Sequence, residues 1–188
     1  MAGSCTFQLS GRVTYVMDKA SPYGGQIRTR IEIPAECIGM RTIPPHGLFL
    51  NVRYDTKDTS NARFSTLKAQ LQKGMFVFVR GNIKPSPATD KYPATHFLDA
   101  NWRDVFVSAS PFPARNKVFF EGEILGLTSN SLHLKYSYMN PKETDPQKKW
   151  TDRQYVVCTA EEVQKNPRDP IFFEGRIFGV DTDTKQEV

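Results

Sequence analysis

Three arginines and a phenylalanine carry most of the chemistry available to this sequence. Arg28 and Arg30 lie two apart in Gln26–Ile33, and Phe49, Asn51 and Arg53 alternate in Leu48–Tyr54. Alternate residues of an extended chain share a face. The pattern therefore predicts one face bearing Gln26, Arg28, Arg30 and Glu32 opposite Ile27, Thr29, Ile31 and Ile33, and another bearing Phe49, Asn51 and Arg53 opposite Leu48, Leu50, Val52 and Tyr54. Guanidinium groups neutralise phosphates and stack on bases, and an aromatic ring offers a platform to any base. The plainer alternative is a solvated face on which the arginines meet acids such as Glu32 and Phe49 covers one end of the fold.

Other chemistry has little support. His46, His96 and His133 stand far from any cysteine, and no spacing typical of a zinc site occurs. Gly24 and Gly25 precede a strand pattern rather than a helix, which excludes a phosphate loop. Neither a nucleophile elbow nor a Cys/His pair is visible. Glu121 and Glu123 share a face, but surface carboxylates on a strand ordinarily serve solubility. The expectation is a non-enzymatic protein with no cofactor and no metal.

The 188 residues suit one large domain or two small ones, and 25 basic against 20 acidic residues give a net charge of +5. Up to Ser110 there are 14 basic and 8 acidic residues, and beyond it 11 and 12, so the excess belongs to the first part. Such an excess favours polyanionic partners. No apolar stretch approaches the roughly 20 residues that cross a bilayer. The opening residues do not read as a signal peptide, and Cys5, Cys37 and Cys158 are odd in number and widely spaced. The expected location is intracellular, nuclear or cytoplasmic.

The elements that must position these side chains are mostly strands. Period-two patterns predict strands at Phe7–Val16, Gln26–Ile33, Leu48–Tyr54, Met75–Ile83 and His96–Val107, with a helix over Ser65–Lys73 stopped by Gly74. The proline-rich stretch 108–116 reads as a linker between a domain of residues 1–110 and a second of residues 117–188. In the second, Val118–Leu127, Leu132–Tyr138, Gln154–Cys158 and Ile171–Val180 read as strands and Thr159–Lys165 as a helix. No fifth strand is visible there.

One seven-residue pattern recurs: FQLSGRV from Phe7, VFVRGNI from Val77, VFFEGEI from Val118 and IFFEGRI from Ile171. Its glycines, Gly11, Gly81, Gly122 and Gly175, fall in the first strand of each part and in the strand after its helix. A glycine repeated inside strands marks a bend where a small sheet coils over itself. This order of strands and helix, and above all LKAQLQKGMFVFVRGNIKP (Leu67–Pro85), resembles the oligonucleotide/oligosaccharide-binding (OB) fold of single-stranded-DNA-binding proteins of the bacterial and replication protein A kind.

The resemblance implies a mainly all-β architecture of two tandem OB-like five-stranded Greek-key barrels, each with a short helix before its fourth strand, the second either closed like the first or left open without a fifth strand. It also implies a ligand surface on the second and third strands, flanked by the loops Lys19–Gly25 and Lys84–Tyr92. The implied interface gathers Tyr23, Arg28, Arg30, Phe49, Asn51, Arg53, Lys84, Lys91, Tyr92 and Arg103. The expected function is binding of single-stranded DNA with weak sequence preference, mainly by residues 1–110. Single-stranded RNA is the alternative ligand. The alternative function is that of an interaction subunit in a replication, repair or telomere complex, contacting protein or a second copy through the second part. A sugar-binding OB-fold would usually accompany secretion and disulfides.

Overall fold

A computed structural model describes residues 3–21, 24–33, 48–86, 95–127, 131–140, 143–158, 168–175, 177, 180–181 and 186–187. The chain order is β1 (Ser4–Ser21), β2 (Gly24–Glu32), β3 (Leu48–Tyr54), α1 (Ala62–Gln70), β4 (Phe76–Ser86), β5 (Thr95–Asn101) and β6 (Val105–Ser108). There follow β7 (Asn116–Leu127), β8 (Ser131–Met139), β9 (Trp150–Cys158), β10 (Pro170–Gly175), β11 (Val180–Asp181) and β12 (Gln186–Glu187).

The first five strands close on themselves. β1 pairs with β2, β2 with β3 and β4 with β5, all antiparallel; β3 and β5 are parallel; and β4 returns to β1, completing a five-stranded barrel. Its inner lining is the alternating set read from the sequence: Ile27, Thr29, Ile31, Leu50, Val52, Tyr54, Val77, Val79, Leu98 and Ala100 are buried. This is the OB architecture that the glycine-bearing strands imply. α1 packs against this core with Phe64 and Leu67, and Phe64 lies between Tyr54 and Trp102, with ring centroids 4.8 and 5.3 Å away.

Several elements differ from expectation: β1 runs past Val16 to Ser21, and the strand expected over Ile171–Val180 ends at Gly175. The helix starts three residues early because Asn61, not a Ser or Thr, caps it, accepting from the backbone N–H groups of Arg63 (2.9 Å) and Phe64 (3.3 Å). The expected strand His96–Val107 is broken by a 3-10 turn at Trp102–Asp104, which buries Trp102, and β6 then runs on in the direction of β5 along the same edge of β4. The expected helix Thr159–Lys165 lies outside the described residues.

The glycines relieve close approaches. A Cβ on Gly81 would collide with the Asp99 carbonyl and stand 2.8 Å from Phe7 Cε1. One on Gly11 would collide with Ile31, and one on Gly122 with the Lys135 carbonyl.

The repeat extends to strand register. Gly11 faces Val77 and Phe7 faces Gly81; in the second half Gly122 faces Ile171 and Val118 faces Gly175, the same pairs one repeat later. Bulges fall at matching places, between Val13 and Tyr15 and between Ile124 and Gly126. β7, β8, β9 and β10 thus reproduce the pairings of β1, β2, β3 and β4. They form an open sheet, because among the described residues no strand closes it.

β1 and β7 also pair with each other, Phe7 opposite Val118 and Ser4 opposite Glu121. Those two central residues are counterparts in the repeat, so the halves meet about a local two-fold axis. The contact is reinforced where the Tyr155 hydroxyl donates to the Ile83 carbonyl at 2.7 Å, and Tyr155 stacks on Tyr136. Burial pushes the neighbouring Cys5 thiol up to about 12. The stretch between β6 and β7 is bound to β1: the Ser10 hydroxyl donates to the Pro113 carbonyl (2.9 Å) and accepts from the Arg115 N–H (2.7 Å).

Candidate functional site

The outer face of β1, β2 and β3 carries side chains in rows that cross the strands. Tyr15, Arg30 and Phe49 stand opposite one another in successive strands and form one row. Met17, Arg28 and Asn51 form the next, which Asp99 on β5 extends; Lys19, Gln26 and Arg53 form a third. Strand spacing places neighbours within a row about 4.8 Å apart and successive rows about 7 Å apart.

The first row is a layered cluster. The Arg30 guanidinium carbon lies 4.5 Å from the Phe49 ring centroid and 5.5 Å from that of Tyr15. Phe49 is 48% exposed and Tyr15 37%. Arg30 Nε is buried with no hydrogen-bond partner among the described residues. Planar groups are stacked here with their outer surfaces toward solvent, and a buried N–H without a partner is uncommon enough in folded proteins to call for an explanation. Neither Arg28 nor Arg30 forms a salt bridge among the described residues.

Arg53 and Lys84 are held differently. Both bind the Asp99 carboxylate, Arg53 through Nε to one oxygen and Lys84 through Nζ to the other. Asp99 is itself 5% exposed, so two cations clasp one buried acid and the trio keeps a single net positive charge. Asn51 is buried beside it in the same row.

Arg103 does not join this face. Its guanidinium lies 4.6 Å from the Trp102 ring and 2.5 Å from the Asp58 carboxylate, next to α1. That carboxylate is held below the usual range, first by the Asp55 backbone N–H and then by Arg103. The arginine is a fastener for the turn before the helix. Tyr23, Lys91 and Tyr92 lie outside the described residues.

Sequence reasoning missed Tyr15, Met17, Phe97 and Asp99. In the sequence Tyr15 and Met17 share the parity of buried Val13, which would turn them inward; the bulge between Val13 and Tyr15 reverses that parity and sets both on the outer face. Phe97 is 36% exposed and lies on β5 one residue before Leu98, the partner of Leu50, so it continues the row begun by Tyr15.

The second half keeps the scaffold but not this cluster. By register the counterparts of Tyr15, Arg30 and Phe49 are Gly126, His133 and Val156. Its prominent cation–π pair is elsewhere, with Arg153 3.8 Å from the Tyr138 ring centroid.

No protein-family model matches the chain, and no curated protein does. Solved structures do match in fold. The wild-type single-stranded DNA binding protein from Thermus aquaticus superposes with a TM-score of 0.51 at 12% identity, covering 94% of this chain and 85% of that one. A deletion mutant of the same protein gives a TM-score of 0.52 at 12% identity, with coverage of 93% and 86%. At that identity the likeness establishes the fold.

Proposed function

We propose that this chain is a non-enzymatic binder of single-stranded DNA, with residues 1–110 as the main binding domain and residues 117–188 as a second domain. The row Tyr15–Arg30–Phe49 carries the reading. It joins exposed aromatic faces to a cation that has no carboxylate partner among the described residues, on the face of an OB barrel where ligands ordinarily lie. The fold neighbours from Thermus aquaticus, which bind single-stranded DNA, favour the same ligand. Rings accept every base, so discrimination among sequences is weak. Arg28, Arg30, Arg53 and Lys84 would meet phosphates, with Tyr23, Lys91 and Tyr92 as further contacts from the flanking loops.

The test is a titration of fluorescein-labelled oligo-dT with the full chain over a range of salt. Affinity should fall linearly with the logarithm of salt, with a slope of about −0.7 for each phosphate contacted. Oligo-rU should compete more weakly. Absence of salt-sensitive binding at low ionic strength would refute the reading.

The clasp at Asp99 gives a sharper result. Replacing Asp99 with asparagine removes the charge that occupies Arg53 and Lys84, so both cations turn to the ligand. Binding at low salt should tighten severalfold and the salt slope should steepen by about 0.7, one phosphate's worth. An unchanged slope would mean that neither side chain meets a phosphate.

A further inference from the structure

Phe172, in the middle of β10, is 71% exposed. Its counterpart in the repeat is Phe78 of β4, and the two surroundings differ. β4 has β1 along one edge and β6 along the other, with Phe106 directly opposite Phe78 and their ring centroids 6.1 Å apart. Phe112 adds a further ring at 6.2 Å. β10 has β7 along one edge, and among the described residues no strand runs along the other.

Charge changes at the same place. Arg80 on β4 reaches Asp104, the residue before β6, at 3.3 Å. The repeat puts Glu174 where Arg80 stands, paired only with the exposed Lys117 of β7 among the described residues. Across β7, Phe172 faces Glu121, which forms no ion pair among the described residues, and Pro170 faces Glu123, which Lys135 holds at 2.8 Å, so Glu121 gives the bare ring its acidic border.

We propose that the open edge of β10 takes up an extended segment of a partner protein, added as a strand in the way β6 is added to β4. Its main chain pairs with the edge, an aromatic residue lies over Phe172, and a lysine or arginine in the place of Asp104 meets Glu174. Main-chain bonds give such additions their affinity and alternate side chains their specificity. A second copy of this chain fits less well. Its β10 would bring Glu174 and the acidic border against themselves, and its β6 is preceded by the acid Asp104.

The probe is a fluorescein-labelled peptide copying residues 103–112 with the change Asp104→Lys, titrated with the full chain and followed by anisotropy. It should bind saturably and about threefold to fivefold more tightly than the unaltered copy, the range of an exposed ion pair. Phe172→Ala should weaken it roughly tenfold, in line with the loss of a packed aromatic pair. Glu174→Lys should invert the preference between the two peptides. Both variants alter exposed side chains, so their melting and oligo-dT binding should match the parent, which separates this proposal from the nucleic-acid reading. No saturable binding up to millimolar peptide, equal binding of both peptides, or indifference to Phe172→Ala would overturn it. So would a dimer in sedimentation that Phe172→Asp dissolves, because the second copy would then be the occupant.

Discussion

Replacing Arg30 and Phe49 together with alanine is expected to weaken oligo-dT binding on the order of a hundredfold at low salt. Base stacking on an aromatic side chain contributes about 1–3 kcal/mol, and Arg30 supplies both a phosphate contact and a planar face. The two side chains touch, with the guanidinium 4.5 Å from the ring centroid, so the single replacements should not simply add. Arg30→Lys separates the roles: the charge persists and the salt slope with it, while the flat stacking surface is lost and affinity falls partway. Phe49 faces solvent, so Phe49→Ala should leave thermal melting nearly unchanged. A double variant that folds and binds like the parent would remove this row from the binding surface and, with it, the main support for the proposed function.

The largest expected loss of stability comes from Gly81→Ala. The added methyl would meet the Asp99 carbonyl, part of the β5 backbone, and the ring of fully buried Phe7 at 2.8 and 2.9 Å. A carbonyl in a ladder and a ring in a packed core can yield only by separating strands, so the cost is set near the top of the overpacking range, about 3 kcal/mol. For a chain of this size that corresponds to a fall in the melting midpoint of roughly 6–12 °C. Gly126→Ala is the control, because a Cβ there meets nothing within 4 Å. It should be neutral or gain a few tenths of a kcal/mol from a less flexible unfolded chain. Equal midpoints for the two variants would show that the close approach at Gly81 carries no energetic weight.

Short-range patterns were the legible part of this protein. Period-two alternation identified the buried apolar residues of β2 and most of those of β3, because one face of each strand lines a barrel; on β3 it misplaced Asn51, expected outward but buried beside Asp99, and Leu48, which is only partly buried. The recurring glycines marked the strands of the repeat, but at Gly11, Gly81 and Gly122 they serve close approaches, and the bulges fall beyond them, between Val13 and Tyr15 and between Ile124 and Gly126. What escaped was set by residues distant in sequence. Asp99 is 46 residues from Arg53, and nothing local marks it as the partner of that arginine and of Lys84. Arg103 read as an outward cation until its distant partner Asp58 came into view. The helix start was missed because Phe64 anchors the first turn to Tyr54 and Trp102, whereas the Leu67 and Leu71 spacing drew attention one turn later. Tyr15 escaped because the bulge before it reverses the strand's parity, so a residue in step with buried Val13 faces outward at the start of the row.

The axis between β1 and β7 has a bearing on how the halves could diverge. When two identical molecules join across such an axis, every replacement is made twice and neither side can change alone. Here both partners belong to one polypeptide, so they stay joined however dilute the protein becomes, and each accepts replacements independently. Cys5 and Asn116 occupy equivalent posts: the first is a buried thiol, while the second holds the backbone of Ile177 through reciprocal bonds of 2.8 and 3.0 Å. Covalent linkage thus lets one twin keep its aromatic row while the other exchanges it for glycine, histidine and valine.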